Sequence, residues 1–336
     1  MLHDLSDDPQ AIDRAAQTAQ MALGQYQDFS GADVTLLNVS ENATFLVQLP
    51  SQPERFVMRV HRGEYHTEIE IKSELLWSKE LRRSEGIRTP NTIRNRHGSE
   101  VTAVTTDSYN SFRYCVLFEF LPGHEAVSTD LVAEFEVLGE LTAKMHRHAR
   151  TWNRPAWFSR FDWNLDASFG DEARWGRWQD GIGVGAAELG ILGSLEGLLG
   201  KRLMSYGNDS SKYGLIHADL RLANLLWTSS SDVSVIDFDD CGNSWYFYDL
   251  GSALSFIEDD PLAHEYIDSW LTGYRSVMPV DPTDENELWT FILFRRLLLL
   301  AWIGSHQSAE IARDLGPNFT AVTCDLAEMY LSAHTK

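Results

Sequence analysis

The sequence predicts an α+β protein in two parts. A small five-stranded antiparallel sheet with one main helix comes first, and a larger, mostly helical part follows. Three observations predict this. Short apolar strands bounded by turn residues crowd the first 120 residues, whereas apolar residues recur at helical spacing from Thr129 onward. The two regimes meet at Leu121-Pro122-Gly123, a breaker that divides the chain into 1–121 and 122–336. The helical part is interrupted by short apolar strands around His217 and Asp237, each followed at once by polar residues.

Each element has its own warrant. Pro9 to Tyr26 carries Ile12, Ala15, Ala16, Ala19 and Leu23 on one stripe, which predicts a helix. Val34 to Leu37, Ala43 to Leu49 and Phe56 to Val60 read as strands, the last two joined by the turn Pro50-Ser51-Gln52-Pro53. Glu68 to Ser84 is a helix, and Pro90-Asn91 breaks the pattern. Val101 to Thr105 and Tyr114 to Phe120 complete the sheet. Helices follow over Asp130 to Arg147 and Ala186 to Tyr206, separated by a Trp-rich insert from Trp152 to Trp178. Further helices start near Tyr248, His264, Leu288 and Ala321. Gly181 to Gly185 has alternate glycines but no strand before it, so it reads as a connection between helices, not a phosphate cradle.

Composition narrows the partners. There are 28 Lys and Arg against 49 Asp and Glu, a net charge of −21. Such a surface repels phosphate backbones and anionic bilayers, so neither nucleic acid nor membrane is expected as a partner. Cys115, Cys241 and Cys324 are far apart and form no C-x-x-C pair, which points to a reducing compartment. The first residues lack the basic start and apolar core of a signal peptide, and the most apolar stretch, Phe291 to Gly304, is short and contains Arg295-Arg296. A cytoplasmic protein is the expectation.

The chemistry is concentrated between His217 and Asp239. His217-Ala218-Asp219-Leu220-Arg221-Leu222-Ala223-Asn224 is followed, 13 positions after Asn224, by Asp237-Phe238-Asp239. An Asp, an Asn five positions on and an Asp at a strand end suit one task. The first carboxylate can meet an attacking hydroxyl while the carboxamide and second carboxylate hold a divalent cation against phosphates. For any one of these residues, turn chemistry would be explanation enough; the set at this spacing resembles the apparatus of kinase-fold phosphoryl transfer.

With Tyr213 to Asp219, Val233 to Asp240 and Tyr248-Asp249-Leu250, the chain resembles the aminoglycoside phosphotransferase, choline kinase and type II homoserine kinase superfamily. These are small-molecule kinases on a bilobal, protein-kinase-like fold. Phe118-Glu119-Phe120-Leu121-Pro122-Gly123 is similar to the family's hinge between lobes. Leu138, Gly139, Leu141 and His146 are similar to its first long C-terminal helix. The resemblance covers most of the chain from about residue 31. It implies ATP and Mg²⁺, with Asp219 orienting or deprotonating the acceptor and Asn224 and Asp237 as metal ligands.

It also implies a nucleotide side. The turn from Asn38 to Phe45 stands where a Gly-rich loop would, and Ser40, Asn42 and Thr44 are its candidate phosphate contacts, with an ordinary hairpin turn as the alternative. Arg59 replaces the lysine of the V-A-I-K pattern. Its carboxylate partner should come from the next helix: Glu74 is best placed by family pattern, with Glu68 and Glu70 as rivals. The carbonyl of Glu119 and the N–H of Leu121 are expected at the adenine edge, flanked by Phe118. His217 and Asp249 are expected to tie down and brace the catalytic loop, although Asp249 at a helix start also reads as an N-cap.

The acceptor is expected to be a small hydroxylated molecule. Only 11 residues separate Asp237 from Asp249, and no A-P-E follows, which leaves no room for a protein kinase's activation segment. Asp239, Asp240, Glu258, Asp259, Asp260, Trp245 and Trp302 are candidate acceptor residues, and carboxylates beside aromatic faces favour an ammonium-bearing alcohol. Amino alcohols and aminoglycoside-like compounds rank ahead of homoserine, whose carboxylate would need a cation such as Arg221. The competing readings are a protein or stress-response kinase, a metal-dependent hydrolase using His217, Asp219, Asp237 and Asp239, and an inactive nucleotide-binding module.

Overall fold

The computed structural model describes residues 9–39, 42–50, 52–105, 112–125, 131–229, 232–307 and 309–334. Helix α1 (Pro9–Leu23) precedes strands β1 (Asp33–Val39), β2 (Ala43–Gln48) and β3 (Arg55–Val60). Helix α2 (Glu68–Ser84) leads to β4 (Thr92–Ile93), β5 (Thr102–Thr105) and β6 (Phe112–Glu119). The strand order is β1-β2-β3-β6-β4, with β5 also on β6, and every pairing is antiparallel.

The sheet therefore has six strands, one more than the sequence predicts. The extra strand pairs only Thr92 with Phe118 and Ile93 with Leu117. Two residues carry no readable alternation, and they directly follow the Pro90-Asn91 breaker. Alternation along the longer strands separates two faces. Ala43, Phe45, Met58, Val60, Cys115 and Leu117 pack with Ala15, Ala19 and Leu23 of α1. Arg59 and Val116, opposite each other in register, point the other way, where Val116 meets Ile71 and Leu75 of α2. Helix α2 spans the predicted residues because both of its ends are specified. Thr67 and Glu70 form a capping box, and Arg82 and Arg83 occupy the last turn.

The remainder runs α3 (Leu131–Thr151), α4 (Leu165–Phe169), α5 (Ala186–Tyr206), β7 (Tyr213–Ile216), β8 (Leu225–Ser229), β9 (Asp232–Val235) and β10 (Gly242–Trp245). It closes with α6 (Tyr248–Ala253), α7 (Ala263–Arg275), α8 (Pro282–Glu285), α9 (Leu288–Ser305) and α10 (Glu310–His334). Strand β7 pairs with β10 and β8 with β9, so two short hairpin-like ladders carry the polar segments. Helix α10 starts earlier than the Ala321 predicted, because two helical segments join across Gly316-Pro317.

Helix α9 is the centre of the larger core. By length and composition it could cross a membrane, with a mean hydropathy of 1.5 over 18 residues, but 78% of it is buried inside the protein. It is longer than the apolar stretch Phe291 to Gly304 suggests, so burial rather than shortness identifies it as a core helix. Its two buried arginines are paired, as buried charges must be. Arg296 binds Glu258 and donates to Thr323 Oγ1 at 2.9 Å; Arg295 reaches the site described next.

Candidate active site

Strand β7 leads directly into His217, Ala218 and Asp219. Ala218 has φ 64°, a left-handed conformation that a non-glycine residue holds only when its surroundings impose it. Two groups do so here. Asp249, fully buried in the first turn of α6, accepts the N–H of His217 at 3.1 Å and of Ala218 at 2.7 Å. From the opposite side, Ser252 Oγ and Arg295 Nη1 donate to the carbonyl of Ala218 at 2.7 and 3.2 Å. Asp249 thus braces the loop as expected.

Asp249 is itself held by His146 of α3, whose Nε2 lies 3.1 Å from Oδ2 and whose Nδ1 lies 3.0 Å from the Tyr274 hydroxyl. Burial lowers the pKa of His146, so the neutral ring donates from Nε2 and accepts from Tyr274 at Nδ1. His217 is likewise buried and kept neutral by desolvation, with Nε2 3.3 Å from the carbonyl of Ile236. It links the two polar segments and is placed as a tether, in agreement with the sequence reading.

Asp219 keeps 19% of its side chain exposed. Arg295 Nη2 donates to Oδ1 at 2.7 Å, Asn224 Nδ2 donates to Oδ2 at 2.9 Å, and Arg221 Nε lies 3.6 Å from Oδ2. Asn224 Nδ2 also donates to the backbone carbonyl of Asp219 at 2.8 Å, which turns the carboxamide oxygen away from Asp219. Asn224 is locked to the second segment by the bond from Ile236 N to its own carbonyl, 3.0 Å.

Asp237 follows with φ 62°, again in the left-handed region. Its neighbour Phe238 is buried edge-on against Trp77 of α2 and tilted against His217, which fixes the direction of the Asp237 side chain. The Asp237 side chain is 48% exposed. Desolvation by the surrounding walls and the carboxylates of Asp239 and Asp219 push it up to about 7, against the pull of Arg59. Asp239 points away from the cleft. Its Oδ2 lies 3.1 Å from His66 Nε2 and its Oδ1 3.4 Å from His61 Nδ1. Burial opposes ionisation there, but His66 and Arg59 win and hold the carboxyl well below its usual range.

On the sheet side, Arg59 Nη2 donates to Glu74 Oε1 at 2.5 Å, while Nη1 lies 3.7 Å from both Asp237 and Asp239. Glu74 is therefore the partner. Glu68 pairs instead with Lys72 at 2.5 Å, and Glu70 closes the cap of α2. Desolvation works against the Arg59 charge, but Glu74, Asp239 and Asp237 maintain it. Thr44 is paired in register with Arg59 and is half-buried beside it. Asn42 is buried, and its Oδ1 accepts the N–H of Arg62 at 3.1 Å, so it fastens the turn to the segment after β3. Ser40 lies outside the described residues. At the hinge, Glu119 ends β6 with its carboxylate on Asn91 Nδ2 at 2.8 Å, and Leu121 is half-buried just beyond. The Phe118 ring packs 5.2 Å from the Arg59 guanidinium.

The structure sorts the carboxylates after Asp237. Asp239 is committed to the histidines, Glu258 to Arg296, and Asp260 accepts the N–H of Leu262 at 2.8 Å. Asp259 is half-exposed, 3.8 Å from Arg296. Asp240 stays half-buried with its carboxylate on the Tyr65 hydroxyl at 3.0 Å. Trp245 is a core residue bonded to the carbonyl of Gly207, and Trp302 stacks on His306. The Trp-rich insert grips this same segment: Arg160 donates to the carbonyls of Asp239 and Cys241, and Trp163 Nε1 donates to that of Asp240 at 2.9 Å. Arg295, His61, Tyr65, His66 and Arg160 were not singled out for the site by the sequence. The available signal was the pair Arg295-Arg296 in an otherwise apolar helix, which demands buried partners but does not name them.

Residues 33–280 match the model of the phosphotransferase enzyme family. An uncharacterised protein of Synechocystis sp. is 25% identical over 243 residues, covering 69% of this chain, which spans 63% of that relative's length. Among solved structures, a microcompartment-associated aminopropanol kinase is 44% identical, with a TM-score of 0.88 over 94% of this chain and 98% of its own. An amicoumacin kinase in complex with AMP-PNP, Ca²⁺ and Ami is 20% identical, with a TM-score of 0.73 over 98% of this chain and 95% of its own; at that identity the likeness concerns the fold. The match over well more than half of the chain, together with the near full-length relative, places it: the protein belongs to the phosphotransferase enzyme family.

Proposed function

We propose that the protein transfers the γ-phosphate of ATP to the hydroxyl of a small amino alcohol, using Mg²⁺. The observation that carries this reading is the convergence of Asp219, Asn224 and Asp237 on one cleft, facing Arg59.

The residues present fit a divalent cation. Asp237 and the carboxamide oxygen of Asn224, which is turned away from Asp219, are oxygen donors suited to a hard divalent cation. Among the described residues no cluster of three or more His, Cys, Asp or Glu forms a chelate. Mg²⁺ needs none, since it binds through one or two protein oxygens plus substrate phosphates and water. Bound there, the ion would neutralise charge on the transferring phosphoryl group.

Arg59, held by Glu74, would meet the α- and β-phosphates, with Asn42 and Thr44 as further candidate contacts. The Glu119 carbonyl and Leu121 N–H serve the adenine edge, at the division between 1–121 and 122–336. Asp219 orients the acceptor hydroxyl and takes its proton as the oxygen–phosphorus bond forms and the bond from γ-phosphorus to the β,γ-bridging oxygen breaks, releasing ADP. The transition state is loose, so positioning and charge account for most of the rate.

The likeness to the aminopropanol kinase supports an amino alcohol as acceptor. Asp240, half-buried with its carboxylate on the Tyr65 hydroxyl at 3.0 Å, is our candidate partner for its ammonium. The test is ADP formation with saturating Mg·ATP across short amino alcohols, homoserine, aminoglycosides and neutral sugars. The highest kcat/KM is expected for short amino alcohols. A preference for a neutral sugar or an anionic acceptor would contradict the reading.

A further inference from the structure

Helix α9 sends one side chain into the site. Arg295 is 2% exposed, and its guanidinium is shared among four oxygens. Nη2 donates to Asp219 Oδ1 at 2.7 Å, Nη1 to the Tyr248 hydroxyl at 3.0 Å and to the Ala218 carbonyl at 3.2 Å, and Nε to Ser255 Oγ at 3.2 Å. The ring of Trp175 closes its face at 4.9 Å. Only a planar, multidentate cation serves all these partners at once.

We propose that Arg295 is the positioning residue of Asp219, directing the carboxylate so that the acceptor alcohol rather than water receives the phosphoryl group. This rests on the role of Asp219 proposed above. The geometry supplies the reason. A carboxylate turns freely about its last torsion, and a hydroxyl is aligned for attack only when one oxygen faces it. Arg295 takes Oδ1 and also the carbonyl of the residue before, so the torsion and the loop are set by the same group. Asn224 adds a single bond to Oδ2, which leaves that oxygen able to accept from an incoming hydroxyl. Misalignment of a reacting pair by about 1 Å can cost about a hundredfold in rate without weakening the binding of either substrate. Water, being small and present in excess, depends less on that alignment than a bound alcohol does.

Arg296 is a built-in control. It sits on the same helix, is equally buried and has its own ion pair with Glu258, but its partners, Thr323, Phe319, Glu258 and Asp259, all lie outside the Asp219 loop. Removing either arginine should destabilise the core; only Arg295 should alter the fate of the phosphoryl group.

The experiment measures, for Arg295→Lys, Arg295→Met, Arg296→Met and Asp219→Ala, the kcat and KM for ATP and for a short amino alcohol. It also measures moles of phosphorylated acceptor per mole of ADP and the melting temperature. Arg295→Met should lower kcat for transfer about a hundredfold, leave the KM for ATP within about twofold, and lower the ratio of phosphorylated acceptor to ADP. Arg295→Lys, which keeps the charge and is the safer variant for folding, should fall about tenfold with a ratio between wild type and Arg295→Met. Arg296→Met should lose thermal stability while keeping the wild-type ratio. If the Arg295 variants keep the wild-type ratio and kcat, or merely match Arg296→Met, while Asp219→Ala is inactive, the positioning role is overturned. If Asp219→Ala is itself active, the reading of Asp219 fails first.

Discussion

Arg59 illustrates what one side chain contributes. A lysine would reach either Glu74 or the carboxylates at Asp237 and Asp239, whereas the guanidinium fork spans both, with Nη2 on one side and Nη1 on the other. Asp237 is the residue most sensitive to what binds. Its carboxyl is pushed up to about 7, so in the metal-free protein the folded state holds this proton more tightly than the unfolded chain does. A raised carboxyl pKa weakens the fold as pH rises from the ordinary carboxylate range through about 7, and a bound cation relieves that cost. Stabilisation of the protein by Mg²⁺ should therefore grow between about pH 6 and 8 with proton release, and should be flat with pH in Asp237→Asn. Thermal melts across pH, paired with calorimetry in two buffers, check this. Equal pH dependence in the variant would show that another group is responsible. Asp219, Asn224 and Asp237 could be proposed from sequence because their spacing is local. Glu74 needed the structure to separate it from Glu68 and Glu70. Arg295 and His66 lie 76 and 173 positions from the carboxylates they bind, Asp219 and Asp239, a separation no local pattern records.

Among the elements, α3 matters beyond its length because it places His146 behind Asp249. Its crossing with α7 is backbone-tight: a Cβ on Gly139 would lie 2.0 Å from the Trp270 carbonyl oxygen, and one on Gly273 would lie 1.8 Å from that of Glu136. Neither neighbour is a side chain that can swing aside. Gly139→Ala should cost about 3 kcal/mol, the upper end of ordinary overpacking, and lower the melting temperature by several degrees. It should also lower kcat, because the shift travels through His146 to the Asp219 loop. Unchanged stability would mean that the two helices can separate at no cost. Element boundaries were legible where caps were written in the sequence, as for α2, and where a long apolar stripe was followed by glycine, as for α5. They were not legible for β4, which is held only by its partner β6, or for α10, whose first segment lies before a proline. The Trp-rich insert could be recognised by composition, but its grip on the backbone of 239–241 could not, since carbonyl acceptors leave no mark on sequence.

At the scale of the whole molecule, the proposed function draws on three separate regions: β3 with Arg59, the β7–β9 segments with Asp219, Asn224 and Asp237, and α9 with Arg295. The net charge of −21 favours the approach of a cationic acceptor over an anionic one. The α+β class and the two-part order followed from periodicity and one breaker. The approach of Arg59 and Arg295 to the β7–β9 segments did not, because it rests on long-range packing of β3 and α9. The central claim is that this cleft moves phosphate from ATP to an alcohol through Asp219. The most direct measurement is the yield of phosphorylated amino alcohol per ADP, by ³¹P NMR, in wild type and Asp219→Asn under saturating Mg·ATP. The account predicts one phosphorylated alcohol per ADP in wild type. In the variant it predicts a fall in turnover of about 10²–10⁴-fold, with Mg·ATP affinity within about twofold because Asp219 faces the acceptor. Turnover near wild type in Asp219→Asn, or ADP formed without phosphorylated alcohol in wild type, would contradict it.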